Sequence, residues 1–132
     1  MSYALSKTVD LPYDEAVAAT RAALADQGFG VLTEIDLKAT LKAKIDVDIP
    51  PQVILGACRP PLANAALQAE PSVGTLLPCN VVVRETAEGD TLVEALDPAV
   101  MVELTGNSGL QEVASEARTR LQNALEALPA KA

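Results

Sequence analysis

Alternating and continuous apolar runs predict five β-strands along the chain. The strands are predicted at residues 3–11, 29–36, 52–58, 79–85 and 91–96. In the first strand, Tyr3, Leu5 and Val9 share one face, and Lys7 interrupts that face. A turn around Gly89 separates the last two strands, so we expect them to pair as a hairpin.

Apolar residues spaced three and four positions apart predict helices between the strands. The first helix begins at Pro12 and ends before Gly28, because proline fits a first helical turn and glycine a helix end. Pro60 and Pro61 start another helix in the same way. That helix covers residues 62–69. Further helices are predicted over residues 36–44, 97–101 and 108–128.

Polar side chains at the helix starts predict caps. Asp36 and Asp97 each precede a predicted helix and can accept a hydrogen bond from its first turn. Ser108 and Gln111 have the spacing of a capping box at the start of the last helix. The buried side of the helix after Asp36 is predicted to consist of Leu37, Leu41 and Ile45.

The order of these elements predicts the fold class. A chain of 132 residues suits one domain, and a hairpin mixed with strand–helix crossovers indicates an α+β fold. We expect about five strands in a mixed, mainly antiparallel sheet with helices packed on it. Residues 1–128 form this single domain, and the tail of residues 129–132 is expected to fray.

Charge and composition narrow the partners. The formal net charge is -8, which opposes binding to nucleic acid or to an anionic membrane surface. The aromatic residues Tyr3, Tyr13 and Phe29 are too few for a base-stacking platform. The N-terminal residues lack the pattern of a signal peptide, and no apolar stretch approaches the length of a membrane span. We therefore expect a cytoplasmic protein with reduced thiols.

The candidate chemistry centres on two cysteines, because the chain has no histidine. Cys58 lies between a predicted strand and a proline-started helix, whose partial positive charge can lower the pKa of a thiol. Arg59 adds a positive charge beside it. The plainer interpretation is a small buried residue at a strand end, and the sequence favours it.

Cys79 is the possible partner of Cys58 if the third and fourth strands are neighbours. Such a pair could form a reversible disulfide or bind a soft metal, with Met101 as a thioether ligand for Cu(I). The cysteines are too far apart in sequence for a CxxC motif, so the metal indication is weak, and Met101 also fits a core position.

Two carboxylates on the second strand are a further candidate. Alternation places Phe29, Val31 and Ile35 on one face of this strand. Glu34 and Asp36 are predicted on the other face with Leu32, where paired carboxylates can act as acid and base. The plainer interpretation is that Asp36 caps a helix and Glu34 faces solvent or pairs with a lysine.

Three segments in this order resemble a known family. They are residues 28–36 (GFGVLTEID), residues 55–63 (LGACRPPLA) and residues 76–83 (LLPCNVVV), and the likeness continues through residues 96–98 and Met101. Together they resemble domain of unknown function 302. The resemblance implies a compact α+β fold that pairs as a homodimer, and it brings no established activity. Where many members carry asparagine, this chain has Arg59.

Residues of this chain that match the family's motifs are Glu34, Asp36, Cys58, Pro60, Pro61, Pro78, Cys79, Asn80, Asp97 and Pro98. That these segments recur together fits a shared pocket as well as shared packing.

Three functions stay open at this point. The first is a non-enzymatic homodimeric binding module for a small molecule or soft metal. Its candidate ligand-binding residues are Glu34, Asp36, Cys58, Arg59, Cys79, Asn80 and Asp97. The second is a thiol-dependent redox enzyme or sensor, with Cys58 reactive and Cys79 resolving. The third is a structural dimer whose cysteines only pack. Binding ranks first, because no catalytic constellation is complete.

Overall fold

A single antiparallel sheet organises the molecule. The computed structural model describes residues 2–132. The strands are β1 (Ala4–Val9), β2 (Gly30–Asp36), β3 (Gln52–Cys58), β4 (Cys79–Glu85) and β5 (Thr91–Leu96). They are ordered β1-β5-β4-β3-β2, and each neighbouring pair is antiparallel. The predicted α+β class is confirmed, and the third and fourth strands are neighbours.

Five α-helices connect or follow these strands. They are α1 (Tyr13–Asp26), α2 (Leu37–Ile45), α3 (Pro60–Ala69), α4 (Ala99–Thr105) and α5 (Gln111–Glu126). Short 3₁₀ helices cover Pro71–Leu76 and Ser108–Leu110. Within residues 2–132, no helix combines the length and the apolar character needed to cross a membrane.

The main core lies between one face of the sheet and helices α1 and α5. Its central side chains include Leu24 of α1, Leu121 of α5, and Leu55, Val81 and Val93 of the sheet, all fully buried. A second cluster lies beneath α3, α4 and the start of α5, with Ala66, Val73, Met101, Leu110 and Ala114 as its buried members. The cysteines lie where these two clusters meet.

A β-bulge in β2 changes which residues share a face. The pairing of β2 with β3 shifts between Val31 and Thr33, so Val31 pairs with Ala57 but Ile35 pairs with Ile54. An extra residue on one strand reverses the alternation beyond it. The prediction that Val31 and Ile35 share a face is therefore wrong, because the sequence pattern does not reveal the bulge.

Helix α2 packs less deeply than its pattern predicts. Asp36 caps it as predicted, accepting a hydrogen bond from the N–H of Ala39 at 2.9 Å. However, α2 contains no buried residue, and Ile45 is 63% exposed. α2 follows β2, which is an edge strand of the sheet. There is therefore no strand beyond β2 to cover α2 on the outer side of that edge.

Two details near the C-terminal end also differ from the sequence predictions. Asn107, rather than Ser108, caps the start of the last helical segment by accepting a hydrogen bond from the N–H of Gly109 at 2.8 Å. The tail that was expected to fray lies along β1 instead. The N–H of Asp10 donates to the Pro129 carbonyl at 2.9 Å, and the N–H of Lys131 donates to the Thr8 carbonyl at 3.2 Å.

Candidate functional site

The register of β3 and β4 brings the two cysteine segments together. Ala57 pairs with Cys79, which places Cys58 one residue beyond that pair at the end of β3. Cys58 is half-buried and Cys79 is buried. Both are free thiols, and they do not form a close pair.

Helix α3 begins directly after Cys58 and Arg59, but its first turn offers few free donors. Pro60 and Pro61 have no N–H group, and the N–H groups of Leu62 and Ala63 both donate to the Arg59 carbonyl at 3.0 Å. The start of α3 therefore lacks the free amides with which helix ends usually bind anions. Positive charge near Cys58 comes mainly from the Arg59 side chain.

An apolar cavity of about 30 Å³ lies between β3, β4, α3, α4 and α5. Four of the candidate residues line it, namely Cys58, Arg59, Cys79 and Met101. The rest of its lining is Phe29, Ala57, Leu62, Ala63, Ala66, Leu77, Pro78, Val113 and Ala117. Few polar groups in a mainly apolar enclosure are typical of small-molecule sites.

Burial sets the protonation of Cys79. Desolvation, with a smaller electrostatic contribution from Cys58, raises the pKa of the Cys79 thiol from 9.0 to about 11. A buried thiolate lacks the solvation that would stabilise its charge. Cys79 therefore remains a neutral thiol near pH 7.

The guanidinium groups near the cavity outnumber the carboxylates paired with them. Arg59 Nη1 lies 3.7 Å from Glu116 Oε2, and Arg120 Nε lies 3.0 Å from the same oxygen. One carboxylate thus serves two guanidinium groups, and Arg120 also donates to the Gln27 carbonyl at 3.1 Å. One positive charge in this cluster is left unbalanced, although the chain as a whole carries -8.

Arg59 also has an unsatisfied donor. Its Nε is buried and makes no hydrogen bond to any of residues 2–132. The side chain lies over Gly28, where an added Cβ would stand 3.0 Å from Nε. An unpaired buried donor typically costs about 1–3 kcal/mol, so an acceptor that reached Nε would be stabilised.

The two carboxylates of β2 lie outside this cavity. The Glu34 carboxylate accepts a hydrogen bond from Arg21 Nη2 at 2.6 Å, and Asp36 caps α2. The pKa of the Tyr13 phenol is raised, chiefly by burial and to a smaller extent by neighbouring carboxylates that include Asp36 and Glu34. Both carboxylates therefore lie on the helix-covered side near the start of α1.

Asn80 and Asp97 also lie outside the cavity. Asn80 is exposed on the other face of the sheet, beside a shallow hollow that Tyr3 and Val82 also line. Asp97 is 8% exposed and accepts hydrogen bonds from the Ala99 N–H at 3.0 Å and from Arg118 Nε at 3.2 Å. Asp97 therefore fixes the start of α4 and links it to α5.

This arrangement gives little support to a metal site built from carboxylates. Within residues 2–132, no group of three or more histidine, cysteine, aspartate or glutamate side chains is placed to hold a metal ion. The soft ligands Cys58, Cys79 and Met101 do line one cavity, which leaves Cu(I) as the metal that these side chains would suit.

Sequence reasoning missed the contribution of α5 to this site. Val113 and Ala117 line the cavity, and Glu116 and Arg120 set its charge. Val113 and Ala117 are four positions apart, so the helical repeat places both on one apolar face of α5. The pattern does not reveal which strand residues that face covers, because the contact depends on the tertiary fold.

Comparisons with known proteins agree with this architecture. A family model described as "Domain of unknown function DUF302" matches residues 5–128. A crystal structure of an uncharacterized conserved protein DUF302 from Bacillus stearothermophilus is similar, with a TM-score of 0.90 and 27% identity. That match covers 97% of this chain and 99% of the other. No curated protein matches the chain. The chain belongs to the DUF302 family of domains.

Proposed function

We propose that this protein is a homodimeric, non-enzymatic binding module that holds a small ligand in the cavity near Cys58 and Cys79. The observation that carries the proposal is the apolar cavity in which two thiols, the Met101 thioether and the Arg59 guanidinium meet. Larger hollows of about 430, 260 and 250 Å³ are more open to solvent and enclose a ligand less well.

The size of the cavity limits the ligand. A cavity needs about 10–15 Å³ to hold one water molecule, so about 30 Å³ admits two or three heavy atoms without rearrangement. The buried part of the ligand is therefore small, and a polar end can extend toward the partly buried Cys58 and Arg59.

The chemistry of Cys79 counts against the redox alternative. A resolving cysteine attacks as a thiolate. With a pKa of about 11, only about one Cys79 in ten thousand is ionised at pH 7. A soft-metal site is the better second candidate, because Cys58, Cys79 and Met101 line the same cavity.

Filling the cavity is expected to abolish binding. The probe is the neutral molecule propionamide, at about 50 mM because tiny ligands bind weakly. We expect it to slow the reaction of Cys58 with N-ethylmaleimide severalfold, because an occupied cavity restricts access to that thiol. Ala63→Leu, which extends a half-buried lining residue, should remove this protection. Labelling rates are measured by peptide mass spectrometry.

Ala65→Leu is the matched control, because Ala65 lies on the same helix but is exposed and does not line the cavity. It should retain the protection. The proposal fails if neither propionamide nor propionate protects Cys58 in the native protein. If Cu(I) alone protects Cys58 and raises the melting temperature, the small-molecule function is overturned in favour of the metal function.

The face of the sheet opposite the core supports the homodimer. Ile35, Ile54 and Val82 are directly paired across β2, β3 and β4 and form an apolar row there. Neither core cluster includes them. Beside this row, Arg84 Nε bonds to Glu94 Oε1 at 2.7 Å. A neutral face with one charge of each sign is complementary to its own copy in a two-fold dimer.

Placing a charge in this row is expected to separate the protomers. Ile54→Glu should raise the dimer dissociation constant at least about a hundredfold, because the dimer interface would then bury two carboxylates, one from each protomer. Sedimentation velocity measures the state of assembly, and circular dichroism checks the fold. Leu104→Glu is the control, since Leu104 is 67% exposed on α4 and lies outside the row. A monomeric native protein, or an Ile54→Glu variant as dimeric as the control, would refute this interface.

A further inference from the structure

We propose that the ligand of this cavity is a short aliphatic carboxylate whose charged group binds Arg59. The inference rests on the proposed binding function and specifies its ligand class. It follows from three observations about the cavity, namely its charge, its unpaired donor and its volume.

The charge around the cavity favours an anion. Arg59 and Arg120 share the single carboxylate of Glu116, and the Arg59 contact is the longer one, at 3.7 Å against 3.0 Å. Arg59 is therefore the less well neutralised of the two guanidinium groups. Its side chain is 22% exposed, so most of it is shielded from the water that would otherwise weaken such an attraction.

The unpaired donor favours a planar oxyanion. Arg59 Nε is buried and has no partner within residues 2–132, while Nη1 has only the long contact with Glu116. Nε is buried, so a ligand meets it only when the Arg59 side chain turns. A carboxylate can then accept from Nε and a terminal N–H group at once, which an amide oxygen or an alcohol does less well. Arg59 is thus the specificity-determining residue of the proposed site.

The volume and lining fix the rest of the ligand. About 30 Å³ holds two or three carbon atoms, and Leu62, Met101, Val113 and Ala117 line this space with apolar groups. A chain of that length attached to a carboxylate corresponds to propionate or butyrate. Longer acids would need the helices to separate.

Comparing propionate with propionamide tests this inference, because the two have the same shape and differ in charge. Dissociation constants are measured by NMR titration at constant ionic strength with sodium chloride. In the native protein we expect propionate to bind about tenfold more tightly than propionamide, because charge-assisted bonds are the stronger ones. Arg59→Gln should abolish that preference, so that the two probes bind equally well.

Arg21→Gln is the matched control, because it removes the same charge from an arginine that pairs with Glu34 outside the cavity. It should keep the tenfold preference. If propionamide binds and propionate binds no better, the carboxylate inference fails while the binding function stands. If neither probe binds, both fail. An equal loss of preference in the two arginine variants would overturn the assignment to Arg59.

Discussion

Alkylation of the native protein at about pH 7.5 is expected to modify Cys58 at least about a hundredfold faster than Cys79. Cys58 is half-buried at the end of β3, whereas Cys79 is 8% exposed. The raised pKa of Cys79, about 11, lowers its thiolate fraction about a hundredfold relative to an ordinary cysteine. Burial slows it further, because little of the Cys79 side chain is accessible to the reagent.

Peptide mass spectrometry after timed iodoacetamide treatment measures both rates. The variant Cys79→Ser should retain one fast thiol, and Cys58→Ser should retain one slow thiol that becomes fast only on unfolding. The rate at Cys79 should continue to rise with pH up to about 11. Equal rates at the two cysteines in the folded protein would contradict this account and restore the redox alternative.

Gly56→Ala is expected to lower the free energy of unfolding by about 2–3 kcal/mol, the upper part of the usual range of about 1–3 kcal/mol for overpacking. An added Cβ would stand 2.2 Å from Thr33 Oγ1 and 2.9 Å from Pro78 Cγ. The Pro78 ring is rigid, and β3 is held between β2 and β4, so relief requires a shift of backbone. Urea unfolding measures the loss.

Two further variants isolate the cause of this destabilisation. Gly30→Ala is the control, because its Cβ would meet nothing nearer than the Cys58 carbonyl at 3.9 Å, and it should cost much less. Adding Thr33→Ala to Gly56→Ala should recover part of the loss by removing the nearest atom. A Gly56→Ala variant no less stable than Gly30→Ala would show that the strands move apart without cost.

Local sequence patterns predicted most of the elements. The bounds of β3, β4 and β5 match the predicted residues 52–58, 79–85 and 91–96. Their short apolar runs end at prolines or turn residues, which are local features. The cap at Asp36 was equally predictable, because a side-chain cap depends on residues within one turn of the helix.

The features that were missed depend on distant parts of the chain. The bulge in β2 exists only in its pairing with β3, and the exposure of Ile45 follows from the position of β2 at the sheet edge. Lys7 interrupts the apolar face of β1 because its Nζ donates to the Leu125 carbonyl at 2.9 Å, at the end of α5. A helix end placed beside β1 by the fold cannot be read from a window around residue 7.

The candidate site likewise combines features that the local sequence predicts with features that only the tertiary fold decides. The sequence singled out Cys58, Arg59, Cys79 and Met101 separately, and the fold brings them around one cavity. Glu34, Asp36, Asn80 and Asp97 were singled out with them but lie elsewhere in the fold, most of them in structural contacts. Residue type identified candidate chemistry, and only the tertiary contacts decided which candidates meet.

The central claim is that a small ligand occupies the cavity between α3 and α5, and intermolecular NOEs test it most directly. With ¹³C-labelled protein and unlabelled propionate, we predict NOEs from the propionate methyl group to the methyl groups of Met101, Leu62 and Val113. NOEs only to residues of the opposite sheet face, such as Val82, or none at saturating propionate and propionamide, would contradict the claim.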